Sequence, residues 1–291
     1  LKLAGKATVR EIYAAASACA RAAGARYVAA DIGPLGTLLR PLGTMGFDDA
    51  YGYFAEAARA AAAAGCDLIV IETMTDLAEM KAPFLGTSPA IAATTLEALG
   101  VEALGINCSL GPAELRPFAQ EMLAVTSKPV MVQANAGLPH VEDGRTVFDI
   151  EPDAYASAVA EMVADGVGII GGCCGTDPRH IAALARVIEN SSPRRRTAPV
   201  AFSTCSSQRL VALPDGGGRV AVIGERINPT GKKRLQAALR DDDLDYIVGQ
   251  GISQQEQGAD ILDVNVGLPG IDEPRMVARA VEALQGATLL P

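Results

Sequence analysis

No stretch of this chain approaches the roughly 20 consecutive apolar residues that a membrane-spanning helix needs. No secretory signal is expected either, because Leu1-Lys2-Leu3-Ala4 leads straight into a polar helical pattern. There is no initiator methionine, so a fragment or a processed product is expected. The 25 basic residues form no stripe and are outweighed by 34 acidic ones, for a net charge of −9. That balance argues against nucleic acid as a partner. The one basic run, Arg194-Arg195-Arg196, lies among Ser and Pro and reads as a solvated linker. Histidine is scarce, with two in the chain. His180 opens a helix and reads as solvated, and His140 follows Gly137-Leu138-Pro139 and reads as a surface residue. Neither is taken as a metal ligand.

Cysteine, by contrast, occurs six times in 291 residues. Without a secretion signal these thiols are expected to be buried, catalytic or metal-binding rather than a disulfide framework, and the cytoplasm is the default compartment. Cys19 and Cys66 read as core residues. Cys205 falls in linker-like sequence and receives no role.

Apolar runs alternate with amphipathic, helix-length segments. Strands are expected at 26–31, 68–72, 103–107, 129–133 and 167–170, separated by helices at 8–23, 48–64, 88–99, 112–125, 152–164 and 178–189. Unbroken apolar strands alternating with helices predict a parallel sheet covered on its faces. Polar residues gather just past the strands: Asp31, Glu72, Asn107-Cys108, Gln133-Ala134-Asn135 and Cys173-Cys174. Polar groups converging from five strand ends suit a barrel mouth better than an open sheet. Linker composition follows at 191–217, with Asp215-Gly216-Gly217-Gly218 as a second flexible stretch. A further unit spans 218–291, with strands at 220–225 and 261–265 and helices at 233–240, 244–257 and 273–285. The chain is expected to stop inside that second unit.

Three cysteines mark two strand ends, in Asn107-Cys108-Ser109 and Gly171-Gly172-Cys173-Cys174-Gly175. Zinc takes four tetrahedral ligands, and a catalytic site keeps one position open. Three thiolates fit that rule and leave a corner for a substrate thiol, whose pKa the metal would lower. Adjacent cysteines point to opposite faces of a regular strand, so both reach one ion only if the backbone leaves strand geometry. The flanking glycines permit that. Two small core residues at a buried strand end remain the competing interpretation of the pair.

The motifs Gly105-Ile106-Asn107-Cys108-Ser109 and Gly171-Gly172-Cys173-Cys174-Gly175-Thr176 resemble the homocysteine S-methyltransferase family. Ala30-Asp31-Ile32-Gly33-Pro34, Ile71-Glu72-Thr73-Met74 and Ala134-Asn135-Ala136-Gly137-Leu138-Pro139 extend the resemblance across residues 1–190. It implies a (β/α)8 TIM-type barrel, a zinc ion on Cys108, Cys173 and Cys174, and alkylation of the homocysteine sulfur. Glu72 is implied as the partner of the substrate ammonium, with Asp31, Gly33 and Asn107 beside it. Gly224-Glu225-Arg226-Ile227-Asn228-Pro229-Thr230-Gly231 and Ala259-Asp260-Ile261-Leu262-Asp263-Val264-Asn265 resemble the pterin-binding domain of the cobalamin-dependent methionine synthase family. That resemblance implies methylcobalamin as methyl donor, held by a cobalamin-binding domain or protein. It also implies methyltetrahydrofolate as the source of the methyl group, with Glu225, Asn228, Asp263 and Asn265 at the pterin.

Measured against that family, the first barrel is incomplete, with about five of eight strands present. Two strands are expected before Leu1, and one between 77–82 and 86–89. Two functions follow as alternatives: an active homocysteine methyltransferase module, or a zinc-binding remnant without a working substrate pocket.

Overall fold

The computed structural model describes residues 6–37, 43–72, 88–142, 144–189, 191, 202–213 and 220–291. The chain forms two units, Leu1–Gly86 and Thr87–Pro291. The place of the expected missing strand between 77 and 89 falls almost wholly outside the described residues. So do the arginine run at 194–196 and the glycines at 216–218.

In the first unit, α1 (Val9–Ala22) opens on a reciprocal cap. The Thr8 hydroxyl accepts from the Glu11 N–H while the Glu11 carboxylate accepts from the Thr8 N–H. β1 (Ala29–Ile32) and β2 (Leu68–Ile71) run parallel, with Ala29 opposite Leu68 and Ile32 opposite Ile71. α2 (Phe47–Ala63) is the crossover between them. Arg21 ties the end of α1 to Asp67 at 2.5 Å, and Asp67 also accepts from the Val28 N–H at 2.6 Å. One carboxylate thereby fixes the entries to both strands. Cys19 is exposed and Cys66 half-buried, so neither is the core residue expected from the sequence.

The second unit holds a parallel sheet in the order β3 (Leu104–Asn107), β4 (Val130–Ala134), β7 (Ile169–Gly172). Its crossovers include α4 (Pro112–Val125) and α5 (Pro152–Asp165); α3 (Pro89–Ala98) precedes the sheet and α6 (Pro178–Ile188) follows it. All four helices begin on proline, whose missing N–H is an orphan at that position in any case. Leu104, Val130 and Val132 from the strands meet Met122, Tyr155, Val159, Met162 and Leu184 from the helices in one buried cluster. Each such fully buried aliphatic side chain contributes about 1.5–3 kcal/mol. The chain is thus an α/β protein with parallel sheets, as its alternation of patterns predicts.

Two antiparallel hairpins are additions to the expected layout. β5 (His140–Glu142) pairs with β6 (Arg145–Val147) between β4 and α5. β8 (Phe202–Cys205) pairs with β9 (Leu210–Leu213) inside the stretch read as linker. This second hairpin is anchored at its turn. The Cys205 Sγ lies 3.3 Å from Thr95 Oγ1 on α3. The Ser206 hydroxyl donates to the Leu289 carbonyl at 2.6 Å, and Arg209 pairs with the buried Asp260 at 2.8 Å.

Beyond it, β10 (Ile223–Ile227) and β11 (Ile261–Val264) run parallel. Around them lie α7 (Lys233–Arg240), α8 (Leu244–Glu256) and α9 (Glu273–Ala287). Ile227, Leu235, Leu239, Ile247, Met276 and Leu284 form a core of their own. Among the described residues, no helix is long and apolar enough to cross a membrane.

Candidate metal centre

Cys108 follows the last residue of β3, and its backbone leaves strand geometry at once. Cys108 and Ser109 both adopt left-handed conformations, with φ of 60° and 64°. For residues other than glycine this costs about 1–2 kcal/mol each. The turn persists because its backbone is bonded. The Cys108 N–H donates to Gln133 O at 2.9 Å, and the Leu110 N–H returns to Cys108 O at 2.7 Å.

On the other side β7 ends at Gly172, so Cys173 and Cys174 lie beyond the strand. That removes the geometric objection to adjacent cysteines sharing one ion. The Cys173 N–H donates to Ala134 O at 2.8 Å, and the Ala136 N–H to Cys174 O at 2.9 Å. The Thr176 hydroxyl closes the turn on Cys173 O at 2.7 Å. Two glycines are required here. A Cβ on Gly172 would stand 2.5 Å from Thr176 Oγ1. Gly175 has φ of 78°, and a Cβ there would stand 2.2 Å from Phe148 Cγ.

The three sulfurs meet. All lie within 4.8 Å of one another, and Cys108 Sγ is 3.7 Å from Cys174 Sγ. A disulfide needs about 2.05 Å between sulfurs. Two thiolates on one tetrahedral zinc, with bonds of about 2.3 Å, stand about 3.8 Å apart. The spacing therefore fits a shared soft cation. Electrostatics agree. The Ser109 N–H is the main cause holding the Cys108 thiol below its ordinary range; burial opposes it, and side-chain contacts with Cys174, Cys173 and Asn135 add to it. Burial, and then the Cys108 side chain, push Cys173 up to about 11. Three sulfurs this close ionise together only with a cation among them. Cys108 and Cys173 are half-buried and Cys174 is exposed, so the cluster is open to solvent on one side.

Asn135 belongs to this centre and was not singled out from the sequence. It is 3% exposed, its Oδ1 accepts from the Cys174 N–H at 3.1 Å, and its side chain also bonds Cys108. One amide thereby links both cysteine segments. The clue in the sequence was its place at a strand end between glycine-rich turns.

Other expected residues fall as follows. Asn107 ends β3 and is half-buried. Asp31 and Gly33 lie at the end of β1, and Glu72 directly follows β2, where its N–H donates to Ile32 O at 3.2 Å. Asp31, Gly33 and Glu72 belong to the first unit and the cysteines to the second. Glu225 lies in an irregularity of β10 between Gly224 and Ile227, where the pairing with β11 shifts register. The Asn228 side-chain amide donates to the Glu225 carboxylate, which this bond holds below the usual carboxylate range. Lys232 Nζ lies 3.5 Å from the same carboxylate. Asn265 follows β11, and its Oδ1 accepts from the Gly267 N–H at 2.8 Å. Asp263 is exposed on β11.

His180 is 4% exposed, not solvated as its place at a helix start predicts, because its ring replaces water with Ile150 O and Asp177. His140 is partly exposed, 3.4 Å from Asp149. Cys205, which received no role, lies on β8 as described above.

The family profile and the curated relatives agree on one family. The homocysteine S-methyltransferase family profile matches residues 2–85 and 82–188. The methionine synthase of Mycobacterium tuberculosis is 31% identical over 298 aligned positions, covering 91% of this chain and 25% of that protein. The methionine synthase of Mycobacterium leprae is also 31% identical, over 84% of this chain and 23% of its own. The chain thus spans about a quarter of the length of these curated relatives. Among solved structures, the apo form of the homocysteine methyltransferase MmuM from Escherichia coli aligns at a TM-score of 0.47 and 21% identity. That alignment covers 61% of this chain and 74% of MmuM.

Proposed function

This chain belongs to the homocysteine S-methyltransferase family, and from that membership we propose that it is a zinc-dependent module transferring a methyl group to homocysteine. The observation that carries the proposal is the meeting of three sulfurs from two separate strand ends within 4.8 Å. Cys108, Cys173 and Cys174 would hold the ion. Zinc, when bound, supplies a Lewis acid that lowers the pKa of a substrate thiol and keeps it nucleophilic at neutral pH.

The rest is the work of the chain itself. Asn135 fixes both cysteine segments through one buried amide. The exposed side of Cys174 leaves the approach for the substrate sulfur. Glu72 offers a carboxylate to the substrate ammonium, a charge-assisted contact. By the family resemblance, Asp31, the Gly33 backbone and Asn107, each at a strand end, would be further substrate-binding residues, and residues 1–190 an incomplete (β/α)8 barrel.

Residues 218–291 are proposed as the start of a pterin-binding domain, joined through 191–217. Glu225 and Asn228 would read the pterin edge by paired hydrogen bonds, with Asp263 and Asn265 from the adjacent strand. The methyl group would come from methyltetrahydrofolate by way of methylcobalamin held on another domain or protein, giving methionine. The setting would be the cytoplasm, which suits six free thiols.

The purified chain should carry about one zinc, and Cys108→Ala or Cys173→Ala should lose it. With free methylcobalamin and homocysteine it should form methionine. Metal retained in either variant overturns the zinc assignment. Zinc bound without methionine formed identifies the chain as a zinc-binding remnant.

A further inference from the structure

Behind the three sulfurs lies a buried polar assembly that the proposed chemistry does not use. Tyr155, on α5, is 0% exposed. Its hydroxyl lies 2.9 Å from Ala134 O and 3.0 Å from Gly171 O. Ala134 is the last residue of β4, and Gly171 precedes Cys173 by two. The same Ala134 oxygen accepts the Cys173 N–H at 2.8 Å. Tyr155 thus spans the ends of the two strands that carry Asn135 and the cysteine pair.

His180, on α6, meets the Tyr155 ring edge-on, with centroids 5.5 Å apart at 87°. Its Nε2 lies 2.9 Å from Ile150 O. A carbonyl only accepts, so Nε2 carries a proton and donates. On the Nδ1 side lie the Asp177 N–H at 3.2 Å and the Asp177 carboxylate at 2.9 Å. The Ile150 N–H in turn donates to Ala136 O at 2.9 Å, and the Ala136 N–H to Cys174 O at 2.9 Å. Two routes therefore leave this aromatic pair. One runs from Tyr155 through Ala134 O to the Cys173 N–H. The other runs from His180 through Ile150 and Ala136 to the Cys174 carbonyl.

Core filling alone does not call for these groups. A buried hydroxyl or imidazole costs free energy unless it is bonded, and Phe or Leu would fill the space. The turn itself is rich in glycine, at Gly171, Gly172 and Gly175, and has little stiffness of its own. A metal centre needs its ligands held to within about 0.5 Å.

We propose that Tyr155 and His180 are positioning residues of the metal centre, holding the backbone of Cys173 and Cys174 so that both sulfurs face one ion with Cys108. The proposal rests on the three cysteines binding zinc, and a wild-type control keeps the two ideas separable. Tyr155→Phe and His180→Gln are made in the full chain. Zinc affinity is measured by chelator competition, and ligand geometry by the absorption bands of the cobalt-substituted protein. Thermal unfolding of the metal-free form reports purely structural effects.

Each variant should bind zinc about tenfold more weakly, the lower end of the range for partners lying behind metal ligands. Each should also shift the cobalt bands while its metal-free form still unfolds cooperatively. A folded variant with wild-type zinc affinity and wild-type cobalt bands overturns the proposal. Where Tyr155→Phe does not fold, His180→Gln decides by the same readings. Failure of both to fold overturns it too, since residues needed to fold at all are not serving the metal. Wild-type protein that binds no zinc removes the zinc reading itself, and this proposal with it.

Discussion

Replacing Gly175 by alanine separates backbone strain from crowding at the cysteine turn. Gly175 has φ of 78°, a conformation that costs an L-residue about 1–2 kcal/mol. The added Cβ would also stand 2.2 Å from Phe148 Cγ and 2.6 Å from Phe148 Cβ. Because Phe148 Cβ is fixed to the backbone, a rotamer change does not relieve the clash. Such overpacking adds about 1–3 kcal/mol. Gly258 is the control, with φ of 90° and nothing within 4 Å of where an added Cβ would stand. Gly258→Ala should therefore lose only the backbone part, and Gly175→Ala about 2–5 kcal/mol, the sum of both. Urea unfolding of the metal-free proteins gives the two losses, and chelator competition gives zinc affinity. Gly175→Ala should lose zinc affinity as its turn shifts, whereas Gly258→Ala should keep it. Equal stability losses with unchanged zinc affinity in both variants would refute the reasoning.

Two further predictions concern other parts of the chain. Glu97 accepts from the Thr126 hydroxyl at 2.6 Å and also bonds Ser127. Burial raises its pKa, but the bonds from Ser127 and Thr126 outweigh it and leave the net value below 4.5. A lowered carboxylate stabilises the fold above its ordinary value and loses that contribution as pH falls through the lowered one. Glu97→Gln should cost about 1 kcal/mol at pH 7 in urea unfolding and progressively less below pH 4.5; an offset that stays constant into acid contradicts this. Glu225→Ala and Asn228→Ala should each weaken methyltetrahydrofolate binding about tenfold by calorimetry, the loss expected for about 1.4 kcal/mol. Unchanged binding in both would remove the pterin assignment from these residues.

Most elements were legible because local signals agreed with the tertiary answer. Pro112, Pro152 and Pro178 announce helix starts, and Gly166 ends α5 with φ of 120°. The strands of the β3–β4–β7 sheet were legible as short apolar runs, although burial on both faces is not what the fold shows: β4 alternates buried and half-buried residues and Ile169 is 40% exposed. The two hairpins were not legible. β5 and β6 have three residues each, too short to show alternation. β8 and β9 follow a stretch rich in Ser, Pro and Arg, and their anchors Arg209–Asp260 and Ser206–Leu289 join residues 51 and 83 positions apart. His180 was misread for a similar reason. A helix start next to Asp and Arg suggests solvent, and only the fold brings Ile150 and Tyr155 over the ring. The cysteines were legible as a set because glycines flank the Cys173–Cys174 pair and Cys108 stands at another strand end. Asn135 stood out only as a polar strand end without a role, because its partners Cys108 and Cys174 follow β3 and β7, which are remote in sequence.

X-ray absorption at the zinc edge, recorded on the purified chain before and after homocysteine is added, tests the three-sulfur site most directly. Three sulfurs at about 2.3 Å, joined by a fourth when homocysteine binds, are the predicted result. Two or fewer sulfurs, or a shell that homocysteine leaves unchanged, would contradict it.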